Sequence, residues 1–78
     1  MPRFYFHIYN DIVTLDEEGL ELPDREAARE QAIFAGRELL CDQVREGRVR
    51  LHHRIEVADD KGRVVLKVPF RELVEIEG

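Results

Sequence analysis

Residues 24–47 read DREAAREQAIFAGRELLCDQVREG, and they are the only long helical signal in the chain. Asp24 suits the N-cap position, because its carboxylate can accept hydrogen bonds from the free N–H groups of the first turn. Glu26 adds negative charge at the positive end of the helix dipole. Gly47 suits the left-handed residue that follows a helix. We therefore predict one helix between Asp24 and Gly47, with short strands before and after it.

One broad apolar face runs along this helix when its residues are projected at about 100° each. Its members are Ala28, Ala32, Ile33, Ala35, Gly36, Leu39, Leu40 and Val44. The side chains are small in the first half, which favours close packing on a sheet. Gly36 costs about 1 kcal/mol relative to alanine inside a helix, so it indicates either the close approach of another backbone or a tolerated break.

A second, narrower stripe is formed by Ala27, Phe34 and Cys41, which recur every seven residues. We call these three residues the helix stripe. Charged residues flank it: Glu30, Arg37, Glu38 and Arg45. A domain with one sheet needs only one apolar helix face, so the helix stripe predicts a homodimer contact. The alternative is that the N-terminal hairpin or the C-terminal tail covers it.

Two hairpins are predicted around the helix. Residues 3–9 alternate and turn at Asn10-Asp11 into a second strand, residues 12–15, while residues 54–58 and 63–68 are joined by a turn at residues 59–62. The inward residues are predicted to be Phe4, Phe6, Ile8, Ile55, Val57, Val64, Leu66 and Val68. Pro69 ends the last strand, and a short turn or helix follows. The fold class is α+β, a ββαββ antiparallel sheet of two hairpins flanking one long helix, in a single domain of residues 1–78.

Composition narrows the function classes. Charged residues make up 37% and hydrophobic residues 44% of the chain, which is typical of a globular domain, and the net charge is −5. An acidic chain disfavours nucleic acid as a partner, although one basic patch is present in the sequence. Its members are Arg45, Arg48, Arg50, His52, His53 and Arg54. No apolar run reaches transmembrane length and no signal-peptide pattern is present, so we expect a cytoplasmic protein without membrane contact.

No pattern of residues in the sequence indicates a catalytic site or a cofactor site. His52 and His53 are adjacent and on a strand would face opposite sides, and His7 lies far away in sequence. A site built from His7, one of the pair and a carboxylate such as Asp11 or Glu56 is conceivable, but no ligand spacing supports it. The acidic turn after residue 15 lacks the pattern of a calcium loop and is predicted to be solvated. We therefore predict no enzyme, no metal and no cofactor.

The outer face of the first strand is the other candidate surface. Its residues are Arg3, Tyr5, His7 and Tyr9. Exposed aromatic side chains on a sheet can stack on bases. The competing interpretation, which the acidic net charge favours, is a partly covered outer face or a contact between two sheets.

Four segments together resemble a known family. They are the opening MPRFYFH, the block DEEGLELPD at residues 16–24, the EAAR at residues 26–29, and the closing DKGRV with VPF at residues 60–64 and 68–70. They resemble very short bacterial proteins, mostly alphaproteobacterial, classed as a domain of unknown function. The resemblance spans nearly the whole chain and implies no activity and no catalytic residues. Phe34 departs from the small or polar residue expected in that family. The layout, a hairpin followed by a capped helix, is also similar to HicB-like antitoxins.

The sequence thus predicts a small non-catalytic interaction module that forms a homodimer and binds an unknown protein partner. The alternative is an antitoxin-type or nucleic-acid-linked regulator, which would use the basic patch and the tyrosine-bearing strand face.

Overall fold

The computed structural model describes residues 1–78. Its elements are β1 (Arg3–Tyr9), β2 (Val13–Thr14), β3 (Leu20–Glu21), α1 (Arg25–Glu46), β4 (Arg54–Ala58), β5 (Val64–Pro69) and a short 3-10 helix (Phe70–Glu72). The α+β class, the single helix and the antiparallel sheet are confirmed. The extended stretch before the helix contributes one more short strand, β3.

The strand order is β2-β1-β4-β5, with β3 pairing with β1 as well. β1 and β4 join the two hairpins, and Phe6 lies opposite Val57 in this antiparallel pair. On its other edge β1 pairs with β3 near Phe4 and with β2 near Ile8. β1 is therefore the strand that holds the N-terminal hairpin, β3 and β4 together.

Both ends of α1 are capped as predicted. The Asp24 carboxylate accepts a hydrogen bond from the Ala27 N–H at 2.9 Å. At the other end Gly47 has φ 84°, and the Arg48 N–H donates to the Gln43 carbonyl at 3.0 Å. These bonds satisfy backbone groups that have no partner inside the helix. α1 lacks the apolar character that crossing a membrane requires.

The helix meets the sheet along a line of buried residues that are small in its first half and larger toward its C-terminal end. The buried residues of α1 are Ala28, Ala32, Gly36, Leu40 and Gln43. They pack on a core that includes Phe4, Ile55, Val57, Val68, Phe70 and Leu73. The tight neighbour of Gly36 is the Leu73 side chain from the C-terminal segment, so of the two predicted explanations a close approach is right, but a side chain rather than another backbone makes it.

Two predicted core positions are wrong. Val44 is 63% exposed, because it lies about 100° around the helix from Gln43, and the buried line continues through Gln43 instead. Val64 is 45% exposed. The register between β4 and β5 shifts near Ala58, which pairs with Val64, and Val65 packs against the core in its place. Such a bulge turns neighbouring side chains to other faces.

Asp16 fills the gap on the β1 edge between β2 and β3. One carboxylate oxygen accepts from the Phe6 N–H at 3.1 Å, and the other accepts from the N–H groups of Glu18 and Gly19, both at 3.1 Å. The Asp16 N–H donates to His7 Nδ1 at 3.0 Å. The acidic turn is therefore not simply solvated, because Asp16 binds backbone groups that would otherwise lack partners.

Substitution of Gly19 tests the packing of this loop, and Gly62, in the turn between β4 and β5, is the matched control. Both have positive φ, 70° and 81°, but a Cβ on Gly19 would lie 2.9 Å from the Phe4 carbonyl oxygen, whereas a Cβ on Gly62 would meet nothing within 4 Å. We expect Gly62→Ala to lower the free energy of unfolding by about 1–2 kcal/mol, the cost of left-handed backbone. Gly19→Ala should lower it by about 1–3 kcal/mol more, because the loop must move. Urea unfolding measures both, and equal losses would contradict the close packing of Gly19 on β1.

Candidate functional site

A cavity lies where the tip of the N-terminal hairpin meets the end of α1. The pairing of Tyr9 with Arg54 sets this tip beside the start of β4. The cavity has a volume of about 540 Å³. It is lined by Asn10, Asp11, Ile12, Thr14, Leu39, Asp42, Gln43, Glu46, Arg50 and His53. Three of these residues carry carboxylates and only Arg50 carries a permanent positive charge, so the cavity favours cations.

Hydrogen bonds fix the tautomer of the His53 imidazole. The Gln43 Oε1 accepts from the Arg50 N–H at 2.8 Å, so the carboxamide presents its NH₂ group to His53 Nδ1, 3.0 Å away. An amide NH₂ only donates, so Nδ1 accepts. The neutral imidazole of His53 therefore carries its proton on Nε2. The ring also packs edge-on against Phe70, at 5.8 Å between centroids.

The Nε2 atom of His53 is buried without a hydrogen-bond partner. The His53 side chain is 4% exposed, and the Asp11 Oδ1 lies 3.5 Å from Nε2, outside good hydrogen-bond geometry. The other oxygen of Asp11 lies 3.6 Å from Arg50 Nη1. Most buried polar atoms in proteins are satisfied, so this nitrogen marks the cavity as a candidate site.

His52 joins this group. Its ring centroid lies 4.7 Å from that of His53, and the ligand atoms of Asp11, His52 and His53 all lie within 4.8 Å of one another. The prediction that the two histidines face opposite sides is wrong, because they belong to the turn before β4 rather than to a strand. The other two residues considered for a histidine and carboxylate site make different contacts. His7 accepts a hydrogen bond from the Asp16 N–H, and Glu56 forms an ion pair with Arg54 at 2.7 Å.

The predicted strand surface is already engaged in contacts. Its four residues, Arg3, Tyr5, His7 and Tyr9, are all half-buried. Arg3 pairs with Glu21 at 3.0 Å, and Tyr9 lies under the Arg54 guanidinium at 4.3 Å. These contacts leave less free aromatic area for stacking on bases.

The predicted basic patch is divided among separate contacts. Arg45, Arg50 and Arg54 each have a carboxylate within 4.0 Å, and His53 is buried. Arg48 and His52 are the two members of the patch that are exposed and form no ion pair within 4.0 Å. The cationic groups are thus spread over several contacts rather than presented together as one free surface.

The helix stripe lies on the side of α1 away from the sheet. Phe34 is 62% exposed, Cys41 is exposed and Ala27 is half-buried. Neither the hairpin nor the tail covers Phe34. Beside the stripe lies a groove of about 490 Å³ lined by Arg37, Leu40, Cys41, Val44, Arg45 and Val74. We call it the tail groove, because Val74 of the C-terminal segment forms one wall.

Sequence reasoning missed the central role of Gln43. This residue is polar but 8% exposed, and it lies at the end of the buried line Ala28, Ala32, Gly36 and Leu40. Extending that line by three residues would have placed Gln43 inside. A buried carboxamide needs partners, which would have pointed to His53 and Arg50.

The comparisons with known proteins add one finding. A family model described as Domain of unknown function (DUF6894) matches residues 3–71. No curated protein matches the chain, and no solved structure matches it either. The match covers every regular element up to the middle of the 3-10 helix, so the chain belongs to the DUF6894 family of domains of unknown function.

Proposed function

We propose that this protein is a small non-catalytic interaction module that self-associates through the helix stripe. The observation that carries the proposal is the exposure of Phe34, 62%, on a helix whose opposite side already packs on the sheet. A chain of 78 residues buries a limited core. Burying the exposed 62% of Phe34 against a second copy would add about 1–2 kcal/mol for each phenylalanine.

The charges beside the stripe favour an antiparallel pair of helices. A twofold axis between Arg37 and Glu38 brings Phe34 of one copy to Cys41 of the other. In this arrangement Phe34 enters the tail groove of the second copy. It also brings Glu30 opposite Arg45 and Arg37 opposite Glu38, so two kinds of opposite-charge pair form, each twice. A parallel pair would instead place equal charges opposite each other.

Phe34→Glu tests the contact directly. Sedimentation equilibrium of the wild-type chain at high micromolar concentration should give twice the mass of one chain. Phe34→Glu should weaken the association at least about 100-fold, because a charge would be buried in an apolar groove without a partner. Ile12→Glu is the matched control, since Ile12 is 74% exposed and lies outside the stripe. A wild-type monomer would refute the proposal.

Charge exchange tests the antiparallel geometry. Glu30→Arg and Arg45→Glu should each weaken the dimer, because each creates two like-charge contacts between copies. The double variant restores opposite charges and should recover most of the lost affinity. If the double variant did not regain affinity, the antiparallel arrangement would be contradicted. The proposal that the chain self-associates would not be affected.

The nucleic-acid-linked alternative has less support. Its residues Arg45, Arg50 and Arg54 are engaged with carboxylates, and the chain is acidic. Salt-dependent RNA or DNA binding that is lost in the Arg48→Glu, Arg50→Glu double variant would favour it over the interaction module.

A further inference from the structure

We propose that Asp11, His52 and His53 bind one divalent transition-metal ion of the zinc type at the edge of the cavity at the hairpin tip, which Asp11 and His53 line. The ligand atoms of the three side chains lie within 4.8 Å of one another, and His53 Nε2 lies 3.5 Å from Asp11 Oδ1. Two ligands bound to zinc at about 2.1 Å in a tetrahedron lie about 3.4 Å apart. This pair is therefore spaced as two ligands of one ion.

The state of His53 is an independent observation that points to a ligand. Its Nε2 is buried, has no hydrogen-bond partner and faces the Asp11 carboxylate. Leaving a polar atom unsatisfied in the interior costs free energy. A metal ion bound to Nε2 removes this cost and also neutralises the carboxylate of Asp11.

The donor set selects the class of ion. Two imidazoles and one carboxylate suit Zn²⁺, Co²⁺, Ni²⁺ or Cu²⁺, whereas Ca²⁺ and Mg²⁺ prefer oxygen ligands throughout. Asp42 and Glu46 line the same cavity and add negative potential, which Arg50 only partly offsets. Since three protein ligands leave the fourth tetrahedral position to solvent, the ion would keep an open coordination site.

Gln43 makes the proposal sharply testable. A neutral His53 that binds metal through Nε2 must carry its proton on Nδ1. The Gln43 carboxamide then has to turn over to accept that proton, which brings its NH₂ group against the Arg50 N–H. Gln43→Glu removes the conflict, because a carboxylate accepts from both groups. Such outer hydrogen bonds change metal affinity by about 10–100-fold, so Gln43→Glu should bind zinc at least about 10-fold more tightly.

The experiment is calorimetric titration of the full chain with zinc chloride after dialysis against a chelator. The wild-type chain should bind one ion, and Asp11→Asn and His52→Ala should each lower the affinity at least about 10-fold. Both positions are exposed, so these variants should fold. The matched controls Asp60→Asn and His7→Asn, at residues outside the cavity, should bind zinc as the wild type does. Bound zinc should also raise the Tm of the wild-type chain.

Several results would overturn the proposal. They are the absence of saturable zinc binding, binding unchanged by Asp11→Asn and His52→Ala, or weaker binding by Gln43→Glu. A titration with inorganic phosphate separates the opposite chemistry. The cavity would be an anion site if the chain bound phosphate and not zinc. In that case phosphate binding should require Arg50 and should weaken in Gln43→Glu. None of these residues belongs to the helix stripe, so this result and the mass of the wild-type chain are independent.

Discussion

Replacing Phe70 with alanine is expected to lower the free energy of unfolding by about 3–5 kcal/mol, the range for deleting a buried aromatic side chain. Phe70 is 0% exposed, among the largest fully buried side chains. Its ring supports His53 at 5.8 Å, and its N–H donates to the His53 carbonyl at 2.8 Å. A domain of 78 residues has a total stability of about 4–12 kcal/mol, so this one change would remove much of it.

The measurement is urea unfolding followed by circular dichroism at one fixed protein concentration, since self-association would add to the apparent stability. Ile76→Ala is the matched control. Ile76 lies in the same C-terminal segment and is 75% exposed, so its loss should change the free energy by less than about 0.5 kcal/mol. Similar losses in the two variants would show that the C-terminal segment does not close the core.

The second large effect is expected at Asp16. Asp16→Asn has almost the same shape, but one of its two acceptor oxygens becomes an NH₂ donor. Either the Phe6 N–H or the pair of N–H groups from Glu18 and Gly19 then faces a donor. We expect a loss of about 2–3 kcal/mol, the scale of hydrogen bonds to a charged group. Glu17→Gln is the control, because it removes the same charge from a neighbouring exposed residue.

The loss at Asp16 should depend on pH. Partial burial acts to raise the pKa of Asp16, but the N–H groups of Phe6, Gly19 and Glu18 outweigh it, and the pKa lies below its ordinary value. A carboxylate with a lowered pKa stabilises the fold above the pKa of the unfolded chain, near pH 4, and this contribution disappears as pH falls through the folded pKa. The difference between wild type and Asp16→Asn should therefore be full at pH 6 and shrink below about pH 4.

Another carboxylate also has a lowered pKa but does not disturb this comparison. The pKa of Asp59 is also lowered, first of all by the Arg63 N–H and also by the Lys61 N–H. Because Asp59 is present in both proteins, its contribution cancels in the difference. If the difference in the free energy of unfolding between the wild type and Asp16→Asn stayed constant down to about pH 2, the role given to the Asp16 carboxylate would be contradicted.

The elements with strong local signals were predictable. The helix begins after Asp24 and ends before Gly47 as expected, because capping depends on residues within one turn of the helix end. β1, β4 and β5 follow from alternation of apolar and polar residues. The helix stripe was also predictable, since a spacing of seven residues fixes one side of a helix wherever the helix packs.

The candidate metal site was not predictable in this way. Asp11 is separated from His52 by 41 positions, and only the pairing of β1 with β4 brings them together. Adjacent histidines face opposite sides when they lie on a strand. His52 and His53 lie in the turn before β4 instead, so their side chains can point to the same place. The burial of Gln43 and the exposure of Val44 differed from expectation for a related reason. A shift of one residue along a helix turns a side chain by about 100°.

The amino-acid sequence by itself determined the α+β class, the capped helix and its two apolar sides, because those depend on neighbours a few residues apart. Only the tertiary structure decided the strand order, the place of Asp16 on the β1 edge, and the meeting of Asp11, His52, His53 and Gln43. The physical reason is that hydrogen bonds between distant strands and the packing of loops depend on the whole chain closing around one core.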